Sequence, residues 1–320
     1  MKRLHIVPTL HEANGVFQVA QRIARRDGDD LWDFTGAVGV AQGHAVETSS
    51  ESKLVEKLGT LSHPLSSYDE IWVHGMWLPS AWRSCHRALR AGVKLVRMPH
   101  GSLSPIYLER QSKWKKRLVA PIERYYYNNA SRVVVSGEWE ADWCHRWGVT
   151  GEMETLDFKQ FFRLDAPHTR PKAERTQAAL RVLYLGMEHP LKGVNLLRRA
   201  SEELNDECWR KMPFTNDVIA LKTISDASGD YKESLWRWAD VLCLPTFSEN
   251  FGLVVAEAIE HGCAVITTDG APAWADLGLE HGLYIRGYKD ASESQCVKLL
   301  KDALKHYIDQ TNLNAKEVFS

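Results

Sequence analysis

Val241-Leu-Cys-Leu-Pro245-Thr-Phe-Ser-Glu249-Asn-Phe-Gly252-Leu-Val-Val-Ala-Glu257-Ala-Ile259 decides the fold. A short apolar run stops at Pro245, a polar loop follows, and Gly252 opens a second apolar run at helical length. His261-Gly262 then stops that helix, and Cys-Ala-Val-Ile-Thr starts another buried strand. Free backbone N–H groups at the start of such a helix attract phosphate or sugar oxygens. Glu257 lies among aliphatic neighbours, where a carboxylate is costly unless it is hydrogen-bonded or paired. Two partners fit it: a vicinal diol such as that of a ribose, or a nearby Lys or Arg in a salt bridge. Glu249, in the strand–helix loop, is placed to meet a second polar ligand group.

The same rhythm runs through the chain. Leu4–Pro8, Glu70–His74, Lys94–Met98 and Arg132–Ser136 read as strands, separated by helices at Phe17–Arg26, Ser80–Ala91, Ile106–Asn128 and Trp139–Trp147. Arg181–Leu185, Val241–Pro245, Ala264–Thr267 and Leu283–Ile285 read as strands of a second half. Its helices fall at Val194–Leu204, Tyr231–Trp238, Leu253–His261 and Ser292–His306. Alternation of this kind predicts parallel sheets covered on both faces. A polar stretch with Pro167 and Pro171, Leu164 to Ala179, reads as the linker. The predicted architecture is α/β, with two doubly wound domains at 1–165 and 178–320. They are expected to face each other across a cleft, with ligands at the carboxyl ends of strands.

Length and composition agree with two such domains. The chain has 320 residues, 44% hydrophobic and 25% charged, with 40 Lys+Arg against 41 Asp+Glu. That balance argues against a nucleic-acid binder, whose footprint is strongly basic. Six cysteines in no metal-binding spacing suit a reducing cytoplasm. No apolar leader segment and no stretch near ~18 apolar residues is visible, so neither a signal peptide nor a spanning helix is expected.

Ser-Glu249-Asn-Phe-Gly-Leu-Val-Val-Ala-Glu257-Ala, followed by Gly262-Cys-Ala-Val-Ile, resembles the Glu-x7-Glu donor motif of the retaining glycosyltransferases of family 4. Leu183-Tyr-Leu-Gly186-Met-Glu-His-Pro-Leu-Lys192-Gly193-Val is similar to the family's strand, glycine loop and Lys-Gly helix start. Met98-Pro99-His100-Gly101 and His74-Gly75-Met-Trp77 resemble its N-domain strand-end loops, and Pro8 to Gly15 occupies the place of its first glycine-bearing loop. The resemblance implies the GT-B fold, two Rossmann-like domains, with the C-terminal one shortened.

It also implies roles. Glu257 would hold the ribose of a nucleotide-diphosphate sugar, and Glu249 would lie near the transferred sugar. The backbone of Asn250, Phe251, Gly252 and Leu253 would meet sugar hydroxyls. Lys192 would meet the diphosphate, Gly186 would line the same loop, Gly15 would approach phosphate or acceptor, and His100 would sit near the sugar. Transfer would proceed with retention by front-side attack, the donor phosphate taking the acceptor proton, without a metal. Met187 stands where the family carries Arg, leaving Lys192 alone or aided by Arg181, Arg198 or Lys222. The segment from Lys192 to Glu249 is shorter than usual, the Pro-Asn-Gly turn is not evident around Met153–Phe162, and the sequence stops at Ser320 before the usual crossing helix.

Other features have competing readings. Arg110, Lys113, Trp114 and Arg117 share a helical face, suited either to anionic lipid and a glycolipid acceptor or simply to solvent. His100 and His74 each precede a glycine at a strand end, as ligand groups or as loop histidines bonded to backbone; His189 and His261 read as structural. Trp72, Trp77 and Trp82 are left open for sugar stacking, and Trp139, Trp143 and Trp147 form a core stripe. Glu138 either faces the cleft or caps its helix. Asp27-Gly-Asp29 matches a metal-binding Asp-x-Asp but reads as a solvated helix end. The reading favoured is a cytoplasmic hexosyltransferase of retaining type, at the inner membrane face, acting in lipopolysaccharide or other cell-surface glycan assembly. A non-catalytic member that binds saccharide or nucleotide for an active partner, or a sugar-nucleotide epimerase, would use much of the same sequence.

Overall fold

A computed structural model describes residues 1–10, 14–33, 38–39, 65–110, 113–164, 179–211 and 217–311. It divides into two units, Met1–Phe161 and Phe162–Ser320. The core of the expected linker, 165–178, lies outside the described residues, as do 11–13 of the loop from Pro8 to Gly15.

In the first unit the strands are β1 (Arg3–Val7), β2 (Asp30–Asp33), β3 (Val38–Gly39), β4 (Glu70–His74), β5 (Lys94–Met98), β6 (Arg132–Val135) and β7 (Met153–Thr155). Their order is β3-β2-β1-β4-β5-β6-β7, and every pair is parallel except β2 with β3. The helices are α1 (Gly15–Asp27), α2 (Pro79–Arg90), α3 (Pro105–Arg110), α4 (Lys113–Asn128) and α5 (Glu138–Trp147). Alternate strand residues serve opposite faces. Leu4, Ile6, Ile71, Val73 and Leu95 pack on Ala81, Cys85 and Ala88 of α2, whereas Val7 and Leu31 pack on Phe17, Ala20 and Ala24 of α1. His5 and Val7 thus point to the α1 side. The winding reverses between β1 and β4, the place where open α/β sheets bind ligands.

The second unit contains β8 (Leu180–Leu185), α6 (Val194–Lys211), β9 (Ile219–Ile224), α7 (Gly229–Trp238), β10 (Val241–Leu244), α8 (Leu253–Glu260), β11 (Ala264–Thr268), β12 (Gly282–Ile285) and α9 (Glu293–Thr311). The sheet is wholly parallel, in the order β12-β11-β10-β8-β9, so its reversal lies between β8 and β10. Both units are Rossmann-like, as the alternation predicts.

Four strands escape the sequence reading, the two-residue β3 among them. The β2 strand has Asp at both ends, β7 is a three-residue edge, and β9 is an edge strand carrying Lys222 with most positions half-buried. None shows the unbroken apolar run of the central strands. The single helix expected over Ile106–Asn128 is described as two, α3 and α4, with 111–112 outside the description. Among the described residues, no helix is long and apolar enough to cross a membrane.

Candidate functional site

In the second unit the loops after β8 and β10 meet at the reversal of winding. The turn Pro190–Lys192 is a single 3₁₀ turn, capped by the His189 ring accepting from the Leu191 N–H (3.2 Å). Its Leu191 carbonyl accepts from the Phe247 N–H (2.8 Å) and the Thr246 hydroxyl (3.2 Å), which clamps one loop on the other. Gly193 follows at φ 63°, and a β-carbon there would lie 2.1 Å from the Pro245 carbonyl oxygen, so no other residue fits. The clamp brings together two residues far apart in sequence. Lys192 Nζ donates to Glu249 Oε2 (2.6 Å) and to the Ser248 carbonyl (3.1 Å), with both side chains about one-fifth exposed.

Glu249 Oε1 also accepts from the Asn250 N–H (3.1 Å), and its own N–H donates to the Gly270 carbonyl (2.8 Å). Phe251 is buried between Phe162 and Trp274, whose indole donates to the Phe251 carbonyl (2.5 Å). Gly252, at φ 74°, then turns the chain into α8 at Leu253. The first amides of a helix have no partner within it, so this tip offers donors beside an ammonium. The expected donor-site residues Lys192, Glu249, Asn250, Phe251, Gly252 and Leu253 are therefore one cluster.

Glu257 lies further along α8, 6% exposed. Lys232 Nζ of α7 sits 2.8 Å from both carboxylate oxygens. The salt bridge weighed as the alternative for Glu257 is thus present, and it accounts for the buried carboxylate. Sequence reading did not single out Lys232, because its partner is 25 residues away. His261 places its Nδ1 2.7 Å from the Glu257 carbonyl oxygen and stacks on Trp236.

Gly186 ends β8, and Met187 beyond it is 68% exposed. Of the cations named as replacements for the missing Arg, Arg181 lies at the opposite end of β8 and is held by Asp240 (2.8 and 3.1 Å). Lys222 stands over the Trp238 ring at 4.0 Å. Arg198 pairs with Glu188, one residue past Met187, and donates to the Thr223 hydroxyl (2.8 Å), so it alone of the three reaches this loop.

The first unit gathers a different group. His5 Nε2 is 3.2 Å from Asp29 Oδ2, His5 Nδ1 is 2.9 Å from His74 Nε2, and His74 Nδ1 is 2.8 Å from His100 Nε2. The expected site residue His100 thus ends a chain that crosses β1, β4 and the loop after β5. Asp29 is 6% exposed, which corrects the reading of Asp27-Gly-Asp29 as a solvated helix end. Burial holds all three histidines below their ordinary value of 6.5. Asp29 opposes the fall at His5, the neighbouring rings and Arg97 add to it at His74, and Arg97 adds to it at His100, which is pushed down to about 3.

Two buried carboxylates hold the loops that carry these rings. Glu140 accepts from the Gly101 N–H, the Ser136 N–H (2.8 Å) and the Ser136 hydroxyl (2.9 Å). Glu123 accepts from the Trp77 N–H and from Arg97 (3.1 Å), which in turn donates to the Gly75 carbonyl (3.1 Å). His100 (φ 51°) and Trp77 (φ 66°) occupy the left-handed region, uncommon for residues other than glycine. Neither Glu was visible as a site residue, since the loop amide each one holds, Trp77 for Glu123 and Gly101 for Glu140, is distant in sequence. Glu138 is merely exposed in the first turn of α5. Trp72 is buried and donates to Glu70 (3.1 Å), Trp77 packs edge-on against Trp147, and Trp143 and Trp147 cover the core under α5. Gly15 starts α1, whose cap is the Asn14 carboxamide accepting from the Phe17 N–H (3.1 Å).

On α4, Trp114 and Arg117 are exposed; the side chains of Arg110 and Lys113 lie outside the described residues. Trp114, Leu118, Ile122 and Tyr125 are 67, 72, 43 and 56% exposed. At 3.6 residues per turn they fall within about 80° of one face, flanked by Lys115 and Arg117. The charge pattern had hidden this apolar stripe.

Comparison with known proteins bears on the family and the fold. Residues 15–156 match the family model of a glycosyl transferase 4-like domain, and residues 198–302 that of glycosyl transferases group 1. No curated protein matches the chain by sequence. Among solved structures, WaaG, a glycosyltransferase involved in lipopolysaccharide biosynthesis, covers 98% of this chain and 96% of its own at TM-score 0.62 and 16% identity. Anabaena Alr3699/HepE in complex with UDP-glucose covers 99% and 98% at TM-score 0.60 and 17% identity. Sucrose-phosphate synthase from Thermosynechococcus elongatus covers 98% and 96% at TM-score 0.56 and 16% identity. At these identities the likeness speaks for the fold.

Proposed function

Starting from a chain that belongs to the glycosyltransferases, a 4-like domain followed by a group 1 domain, we propose a retaining enzyme that moves a hexose from a nucleotide-diphosphate sugar to a saccharide hydroxyl. The observation that carries this reading is the cluster of Lys192, Glu249 and the Gly252 helix tip at the reversal of the second sheet. In it, the donor diphosphate displaces Glu249 from Lys192, and the ammonium then faces the charge that grows on the leaving phosphate. The freed Glu249 carboxylate and the amides of Asn250 to Leu253 accept from and donate to hydroxyls of the sugar. Arg198 supplies the second cation in place of the absent Arg. Glu257 receives the ribose diol while keeping Lys232: each carboxylate oxygen has two lone pairs, and the ammonium needs only one on each.

In the step itself, the bond between the anomeric carbon and the diphosphate oxygen breaks as the acceptor oxygen bonds to the same face of that carbon. The acceptor proton passes to the departing phosphate oxygen. No protein carboxylate pair and no metal enter this scheme. His100, in the first unit, belongs to the acceptor-side machinery. The apolar stripe and flanking cations of α4 suit an anionic membrane surface, with a lipid-linked cell-surface glycan as acceptor at the cytoplasmic face.

Incubation with UDP-, GDP- and ADP-sugars and a saccharide acceptor should release nucleoside diphosphate, and NMR of the product should show the donor's anomeric configuration. Failure of every donor to bind or turn over, with Glu257→Ala changing nothing, overturns the reading. Met187, exposed where the family has a cation, favours one rival: a member that binds donor without transfer. Tight donor binding with no release in the presence of varied acceptors would select it.

A further inference from the structure

The chain from Asp29 to His100 has a direction, and its direction follows from chemistry at one end. A carboxylate has only lone pairs to offer, so the proton between Asp29 and His5 sits on His5 Nε2. A neutral imidazole carries one proton, which leaves His5 Nδ1 an acceptor. His74 Nε2, at 2.9 Å, must then be the donor, His74 Nδ1 the next acceptor, and His100 Nε2, at 2.8 Å, the last donor. Neutrality is imposed by burial: His5 and His74 are both 0% exposed, their rings stacked 5.2 Å apart with Trp72 alongside. The rings are joined end to end and do not converge, and no three of them form a metal cluster. Arg3 stands 3.6 Å from the same Asp29 oxygen, closing the far end with an ion pair.

We propose that Asp29, His5 and His74 are positioning residues that lock His100 in its Nε2–H form and hold its bare Nδ1 ready to accept from a ligand hydroxyl. Three features point to a ligand at that atom. His100 Nδ1 has no hydrogen-bond partner among the described residues and is not among the fully enclosed polar atoms. The residue is held at φ 51° by a loop that Glu140 anchors. The chain runs along one face towards the carboxyl ends of β1 and β4, where the winding reverses. The logic is that of a buried carboxylate fixing a histidine tautomer from behind, extended here by two further rings. That the hydroxyl belongs to a sugar donor or acceptor rests on the glycosyltransferase reading; the tautomer does not.

The decisive measurement is long-range ¹H–¹⁵N NMR at pH 7 on the full chain with ¹⁵N-histidine, the His100 signals being assigned by their loss in His100→Phe. Three neutral rings are expected, each protonated at Nε2, with scalar couplings across two N–H···N bonds, from His74 to His5 and from His100 to His74. Protons on His5 Nδ1 or His100 Nδ1, or missing couplings, overturn the proposal whether or not the protein transfers sugar. In assays of transfer, His74→Phe keeps the ring stack but cuts the chain, and should lower kcat/KM on the order of tenfold or more. Combined with His100→Phe it should cost nothing further, since it acts only through His100. Additive losses mean a structural role and refute the assignment. Should His74→Phe fail to fold, His5→Phe, one ring more remote, serves the same cycle. Correct couplings with no turnover of any donor would sink the transferase reading and leave the relay standing.

Discussion

The two polar centres of this molecule solve opposite problems. In the second unit, Lys192 and Glu249 are partly exposed and, among the described residues, paired only with each other and nearby backbone, so the diphosphate of the proposed donor would have an ion pair to exchange. In the first, Asp29, His5 and His74 are buried and His100 half-buried, all joined by hydrogen bonds, with two loop residues in the left-handed region held by the Glu123 and Glu140 carboxylates. One centre is built to be rearranged by a ligand; the other is built not to move. A charged site costs little to leave partly open, because water screens it, whereas the buried members of the row, Asp29, His5 and His74, need the hydrogen bonds they make with one another.

The sharpest way to break this contrast is at Lys192. Lys192→Met should lower kcat by about 10²- to 10³-fold while shifting the unfolding free energy by less than ~1 kcal/mol, as for a pair that water still reaches. Chemical denaturation and nucleotide-release kinetics together check this; a large stability loss would make the pair structural. Glu257→Ala should behave otherwise. It strands the Lys232 ammonium, only 16% exposed, and should cost about 3 kcal/mol of stability. Adding Lys232→Met should restore most of that stability but not donor affinity measured by calorimetry. If affinity returns with the fold, Glu257 has no ligand role.

Gly193→Ala tests whether the clamped loops position Lys192. With the Pro245 oxygen 2.1 Å from a new β-carbon, a loss of roughly 2 kcal/mol is expected, together with weaker donor binding. The histidine row has its own signature in pH. Folded His5, His74 and His100 resist protonation below their ordinary 6.5, His100 down to about 3, so the unfolded chain binds more protons in that window. Stability should therefore rise with pH up to about 6.5 and fall below it, each ring adding up to about 1.4 kcal/mol per pH unit. Denaturation midpoints from pH 4.5 to 7.5 give the slope, and His100→Phe should reduce it. Smallest in stability is the α4 stripe: Trp114→Ser with Leu118→Ser should stay within about 0.5 kcal/mol. The same pair should abolish co-sedimentation with anionic vesicles, leaving turnover of a water-soluble acceptor unchanged.

How much of this could be read from residues alone follows the same division. The donor-side cluster is nearly all local: strand, loop and helix tip lie within Leu244–Glu257, and even the distant Lys192 sits in its own strand–turn–helix unit. The histidine row joins residues 5, 29, 74 and 100; His74 and His100 stand out one by one as strand-end histidines before glycine, but only strand register puts the four in line. Asp29 looked solvated because its neighbours in sequence are charged; its neighbours in space are an imidazole and an arginine. Lys232 was missed for the same reason. The exposed stripe on α4 was obscured differently, because five cations between Arg110 and Arg117 drew the reading to charge.

The carboxylates of Glu123 and Glu140 also bear on how this protein can be recombined. Each grips the main chain of a loop from a helix some forty residues downstream, so the loop after β4 travels with α4, and the loop after β5 travels with α5. Chimaeras that swap either loop for a relative's without its matching helix will inherit an unanswered amide and an idle buried acid. Swaps that carry both segments as one cassette keep each amide with its acid.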